Sequence, residues 1–191
     1  MICNFKNIKS IVNAEKMEVC VISYGGSCSN LLVNTLEKNN IICQTPIWHK
    51  ILCHSPDFLD IDIPMIYIYD NPIKSFFSMK NRGEGWWDVN QRKLSNDNNI
   101  ELSDENLLRL MIKQFNTWTA CKKDNLLLLK SEELFESKIV DKLELFLNKK
   151  LSGFPIEFKK PKTDLEKITF NKDEETLFEK YKKEINFINN F

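Results

Sequence analysis

The sequence predicts an α/β fold with an open, mainly parallel sheet flanked by helices. Three observations predict it. Near-continuous apolar runs such as Val19-Cys20-Val21-Ile22 and Met65-Ile66-Tyr67-Ile68-Tyr69 have the pattern of parallel strands covered on both faces. These runs alternate with stretches whose apolar residues recur at helical spacing. The first run leads directly into Tyr24-Gly25-Gly26-Ser27-Cys28-Ser29-Asn30, a glycine turn between a strand and a helix.

In chain order, Glu18 to Ser23 is the first strand, and Leu31, Leu32, Thr35 and Leu36 mark a helix that Asn39-Asn40 stops. Trp48 to His54 is a second strand, and Met65 to Tyr69, between Pro64 and Asp70-Asn71-Pro72, is a stronger one. Proline at a first helical position predicts a helix over Pro72 to Lys80. Asn81 to Ile100 is polar and glycine-containing, and reads as a long functional loop or lid carrying Trp86 and Trp87.

Leu107, Met111, Phe115 and Trp118 form the stripe of a helix over Asp104 to Lys122, capped by Ser103. Leu126 to Leu129 is a short buried strand. Ile139, Val140, Leu143 and Phe146-Leu147 mark a further helix face. Leu151 to Lys162 is a proline-punctuated connector to a final helix near Glu174 to Ile188, packed through Leu177, Tyr181 and Ile188.

The chain has 191 residues, which suits one sizeable core. Residues 1–191 are therefore expected as one domain. Residues 1–16 form an N-terminal extension, and 151–191 the connector and C-terminal helix packed on the core. The 27 basic residues balance the 27 acidic ones without blocks of one sign, so neither nucleic acid nor an anionic membrane is expected as a partner. Any anion site must be local.

Six cysteines lie scattered, without zinc spacing, and read as reduced thiols in a cytoplasmic protein with no metal. No apolar run is long enough to cross a bilayer. The sequence leaves the oligomeric state open.

In open parallel sheets a ligand sits beyond the C-terminal strand ends, where a helix N-terminus and unpaired N–H groups favour an anion. Gly25 to Asn30 occupies that place: Gly25 and Gly26 admit close approach, Ser27 and Ser29 offer hydroxyls, and Cys28 and Asn30 complete the turn. The Walker pattern Gly-x-x-x-x-Gly-Lys-Ser/Thr is absent, which disfavours a magnesium-dependent kinase.

Four segments together resemble the sulfotransferase family that uses 3′-phosphoadenosine 5′-phosphosulfate. Tyr24 to Asn30 is similar to that family's Tyr-Pro-Lys/Arg-Ser-Gly-Thr/Ser-Thr/Asn loop, and Leu52-Cys53-His54-Ser55-Pro56 to its Lys-Thr-His-x-Pro element. Tyr67 to Pro72 with Ser78 resembles its strand-Arg-Asp/Asn-Pro element and the serine six positions later. Leu126 to Leu134 resembles its strand and Tyr-Glu-Asp-Leu turn, with Glu132 and Leu134 retained.

The resemblance implies a P-loop-type three-layer domain that transfers a sulfonate from this nucleotide donor to a hydroxyl or amine of a small molecule or glycan. It implies that Gly25 to Asn30 hold the 5′-phosphosulfate, that Asn71 and Ser78 hold the 3′-phosphate, and that His54 takes the acceptor's proton.

Two departures stand inside the pattern. Gly26 replaces the family's loop cation and Asp70 its arginine, removing charge from an anion site. Lys74, Ser75, Ser78 and Arg82 share one helical face, so Lys74 or Arg82 can restore the charge. A lysine at position 26 is expected to raise affinity for the donor. Trp86 and Trp87 offer an aromatic platform for a sugar or adenine. The alternative function is a nucleotide- or phosphate-binding or interaction module on the same fold with catalysis lost.

Overall fold

The computed structural model describes residues 16–43, 54–152 and 165–191. Residues 1–15 of the expected N-terminal extension, the strand expected before His54, and most of the proline-punctuated connector lie outside the described residues.

Three strands form a parallel sheet in the order β1 (Cys20–Ile22), β2 (Met65–Tyr69) and β3 (Leu126–Lys130). Cys20 pairs with Met65 in register, and Met65 in turn with Leu126. Parallel neighbours require long crossovers. The first contains α1 (Ser29–Lys38). The second contains α2 (Pro72–Lys80), α3 (Glu84–Ser95) and α4 (Asp104–Thr119). A 3-10 turn at Ser131–Phe135, α5 (Ile139–Leu147), α6 (Lys172–Lys180) and α7 (Lys182–Asn190) follow β3.

Strand side chains alternate between two apolar clusters, as period-two geometry requires. Cys20, Ile22, Met65, Tyr67 and Tyr69 join residues of α2, α4, α6 and α7. Val21, Ile66, Ile68 and Leu129 join residues of α1 and α5. Every residue of β1 and β2 is buried, which explains their continuous hydrophobicity. In β3 only Leu129 is fully buried, and its other four residues are half-buried.

The caps of the second crossover follow their sequence signals. Asn71 Oδ1 accepts hydrogen bonds from Ile73 N and Lys74 N, and Pro72 opens α2. Ser103 Oγ accepts from Asn106 N at the start of α4. Tyr67 stacks on Trp118 with ring centroids 5.6 Å apart and planes 5° apart.

Two elements differ from the sequence expectation. The expected lid at 81–100 is largely helix: Gly83, at φ +98°, precedes α3. Its inner face is Trp87, Asn90, Gln91 and Leu94, so two buried amides interrupt the apolar stripe that would have announced it. The expected single C-terminal helix is two, broken at Tyr181 (φ −105°, ψ 16°). That break sends Leu177 and Phe178 before it, and Ile185 and Ile188 after it, into the same core.

No helix among the described residues is long and apolar enough to cross a membrane.

Candidate functional site

The glycine loop lies beyond the C-terminal end of β1 and enters α1. Gly25 (φ +99°), Gly26 (φ +68°) and Cys28 (φ +63°) are left-handed, while Ser27 between them is not. Such alternation turns successive N–H groups toward one side. Cys28 caps α1 without a side-chain hydrogen bond. Gly25 N donates to Ser23 Oγ, whereas the N–H groups of Gly26, Ser27, Cys28, Ser29 and Asn30 donate to no described residue. A helix of ten residues thus begins with its orphan donors open.

The loop's glycines are required by close packing. A Cβ on Gly26 would lie 2.7 Å from Ser75 O and 2.8 Å from Ser75 Cα. One on Gly25 would meet Met79 Sδ at 2.8 Å, with Asn90 Oδ1 and His54 Cε1 each at 3.5 Å. The loop therefore sits directly on α2, with α3 and His54 beside it.

The hydroxyls of this loop hold its shape. Ser27 Oγ is fully buried and donates to Ile68 O of β2 at 3.2 Å. Ser29 Oγ accepts from Ser23 Oγ at 3.1 Å. Ser23, which the sequence did not single out, is the hub: its hydroxyl braces the loop and its carbonyl anchors His54.

His54 is buried, and its Nδ1 lies 2.8 Å from Ser23 O. A carbonyl only accepts, so Nδ1 carries the proton and the neutral ring has its basic lone pair at Nε2. Gln114 of α4 donates to the same carbonyl at 3.4 Å and to Ser55 O at 2.7 Å, and Trp118 Nε1 donates to Ser55 O at 3.1 Å. The backbone that carries His54 is thus pinned by α4. Nothing in the hydrophobic pattern announces Gln114, a fully buried amide on an apolar stripe.

Asp70, at the end of β2, is completely buried. Its carboxylate accepts from Asn71 N at 2.7 Å and from Ser131 Oγ, and pairs with Lys74 Nζ at 3.0 Å. Its carbonyl and N–H are both bonded to the Tyr24 hydroxyl. The Asp70 carboxylate is therefore neutralised within the protein by the lysine one turn later.

Lys74 and Arg82 both bear on the loop. Burial and then the charge of Asp70 push the Cys28 thiol up to about 11, while Lys74 and Arg82 pull it down. The thiol is protonated at neutral pH and is no nucleophile. Burial also drives the Tyr24 hydroxyl far above its ordinary value.

The remaining predicted residues separate. Asn71 is engaged as a helix cap. Ser78 is half-buried on α2 without a hydrogen bond to a described residue. Trp86 is 47% exposed at the start of α3, and its neighbour Trp87 packs on the core. They point in different directions around a helix and do not form one platform. Glu133, in the 3-10 turn after β3, accepts from Lys130 N and pairs with Lys142.

Cys28, Cys43 and Cys121 are free thiols. Comparison with protein-family models, with curated proteins and with solved structures gives no match.

Proposed function

We propose that the chain is a P-loop-type, three-layer sulfotransferase-like enzyme. It moves a sulfonate from 3′-phosphoadenosine 5′-phosphosulfate to an acceptor hydroxyl. The observation that carries this reading is the run of open N–H groups from Gly26 to Asn30 at the uncapped start of α1. Lys74 and Arg82 within electrostatic reach of Cys28 add two cations against the one carboxylate of Asp70. With Lys74 paired to Asp70, Arg82 is the cation left over to offset the charges absent at positions 26 and 70.

In this reading the loop N–H groups hold the 5′-phosphosulfate. A bond forms from the acceptor oxygen to sulfur as the bond from sulfur to the bridging phosphate oxygen breaks. His54 Nε2 takes the acceptor's proton, and adenosine 3′,5′-bisphosphate leaves. Positioning and electrostatics supply the catalysis, and no metal is needed.

Incubation with donor labelled in the sulfonate tests this, read as label transferred to sugar or phenol acceptors. Transfer lost in His54→Ala, with bisphosphate binding kept, supports it. Unchanged transfer in that variant removes His54 from the mechanism.

One observation favours a second reading. Gly26 is packed shut against Ser75 and Asp70 is already paired, so both family cation positions are closed. A binding module that holds the nucleotide without reacting would bind the bisphosphate and transfer no label.

A further inference from the structure

The inner face of α3 carries an unusual set of side chains. Trp87 lies one turn before the neighbours Asn90 and Gln91, and Trp87 Nε1, Asn90 Oδ1 and Gln91 Nε2 are buried without a hydrogen-bond partner among the described residues. Native interiors leave few such atoms, and each has a reason. Asn90 and Gln91 are 3% and 0% exposed.

Their amide orientations are set by partners of one polarity. Asn90 Nδ2 donates to Trp86 O at 2.9 Å, so Oδ1 is the atom facing Gly25. Gln91 Oε1 accepts from Ser103 N at 3.1 Å, leaving Nε2 as the unused atom. The face therefore offers one acceptor and two donors, none of them charged, with Asn90 beside the loop and His54.

We propose that this face of α3 is the acceptor subsite and that its ligand is a neutral sugar presenting hydroxyl groups. The assignment of its ligand as the acceptor rests on the sulfotransferase reading; the preference for hydroxyls rests on the side chains alone. A hydroxyl both donates and accepts, so neighbouring hydroxyls satisfy Asn90 Oδ1, Trp87 Nε1 and Gln91 Nε2 together. An ammonium group offers only donors, leaving Trp87 and Gln91 unpaired and its own charge uncompensated. A carboxylate or sulfate would set an anion against Asn90 Oδ1.

These atoms are sealed from water, so the proposal requires α3 to lift; Gly83 (φ +98°) and Gly85, on either side of its first residue, meet no atom within 4 Å of where a Cβ would be.

An array of neutral, amino-bearing and uronate-bearing glycans, probed with the full chain, tests the proposal. Binding of neutral glycans is expected, weakened roughly tenfold in Asn90→Leu by loss of one buried hydrogen bond. Trp87→Phe, which keeps a ring and removes the donor, gives the same loss and carries the test should Asn90→Leu fail to fold. Stabilisation by adenosine 3′,5′-bisphosphate is expected to stay unchanged in both.

Binding to charged glycans only, binding to none, or binding undiminished in both variants overturns the proposal. Neutral-glycan binding without any bisphosphate effect on the wild type would instead sink the sulfonate reading and leave the sugar face standing.

Discussion

Gly26 rests on the backbone of Ser75, with its missing Cβ directed at a point 2.7 Å from the Ser75 carbonyl oxygen. The contact is backbone to backbone, so no side-chain rotation relieves it. This reverses the expectation that a lysine at position 26 would restore the family's cation.

Gly26→Ala is expected to cost about 2–4 kcal/mol, from overpacking and a left-handed conformation forced on a residue with a Cβ. Gly26→Lys costs at least as much and leaves donor affinity lower, because the loop must move to admit it. Urea unfolding of both variants checks this. Equal stability to wild type would place the loop elsewhere.

Asp70 and Lys74 are the second relationship that sequence alone misreads. Asp70→Ala leaves Lys74, Ser131 Oγ and Asn71 N without their buried partner, and is expected to cost about 2–3 kcal/mol. Asp70→Asn with Lys74→Met is expected to cost less than the sum of the single changes, since each single change strands the other partner. A double-mutant cycle measures this. Strict additivity would mean that the pair does not interact.

Gln114 supports His54 from α4. Gln114→Leu removes the donor to Ser55 O and one donor to Ser23 O, and is expected to cost about 1–3 kcal/mol of stability. Under the sulfotransferase proposal turnover should fall further than stability explains, because the shorter of the two lost bonds, to Ser55 O, holds the backbone next to His54. A kcat loss with bisphosphate affinity kept is the expected split. Loss of both in proportion would make Gln114 purely structural.

The sign of the alkaline response follows from the buried acids. Burial raises Cys28 from 9.0 to about 11 and Tyr69 from 10.0 to about 12, and moves Tyr24 and Tyr67 upward too. The unfolded chain releases these protons first, so it binds fewer protons than the folded one across this window, and stability falls as pH rises. Full stability is expected below about pH 9, with a decline through pH 11–12. Urea midpoints at pH 8 to 11 check this, and Cys28→Ser should make the decline shallower without moving its onset, which Cys43, a thiol that burial also raises, still sets. A midpoint flat to pH 11 would contradict the burial of these groups.

The strands and most helices were legible because their signals are local. The apolar runs at Val19 and Met65, Pro72 after Asn71, and Ser103 before the stripe of α4 each act within a turn or two. What was not legible depends on contacts distant in sequence. Helix α3 was hidden because Asn90 and Gln91 occupy positions where a hydrophobic stripe would otherwise show. The bend at Tyr181 follows from packing two helices on one core.

Within the site, the loop and His54 could be named from their order along the chain, but Ser23, Gln114 and Asn90 could not. Their importance lies in bonds to residues up to 91 positions away, such as Gln114 to Ser23 O. The consequence of Asp70 was also hidden. Charge counting makes it hostile to an anion, whereas its pairing with Lys74 shows it already neutralised.

The most direct test of the account is thermal unfolding with adenosine 3′,5′-bisphosphate, compared with AMP and with ATP plus magnesium. At one hundred times its dissociation constant, a ligand of the folded state adds about 2.7 kcal/mol of stability. The account predicts this shift for the bisphosphate, a smaller one for the other two, and a weaker bisphosphate response in Lys74→Gln and Arg82→Gln. No shift with the bisphosphate, or an equal shift with all three nucleotides that survives both substitutions, would contradict it.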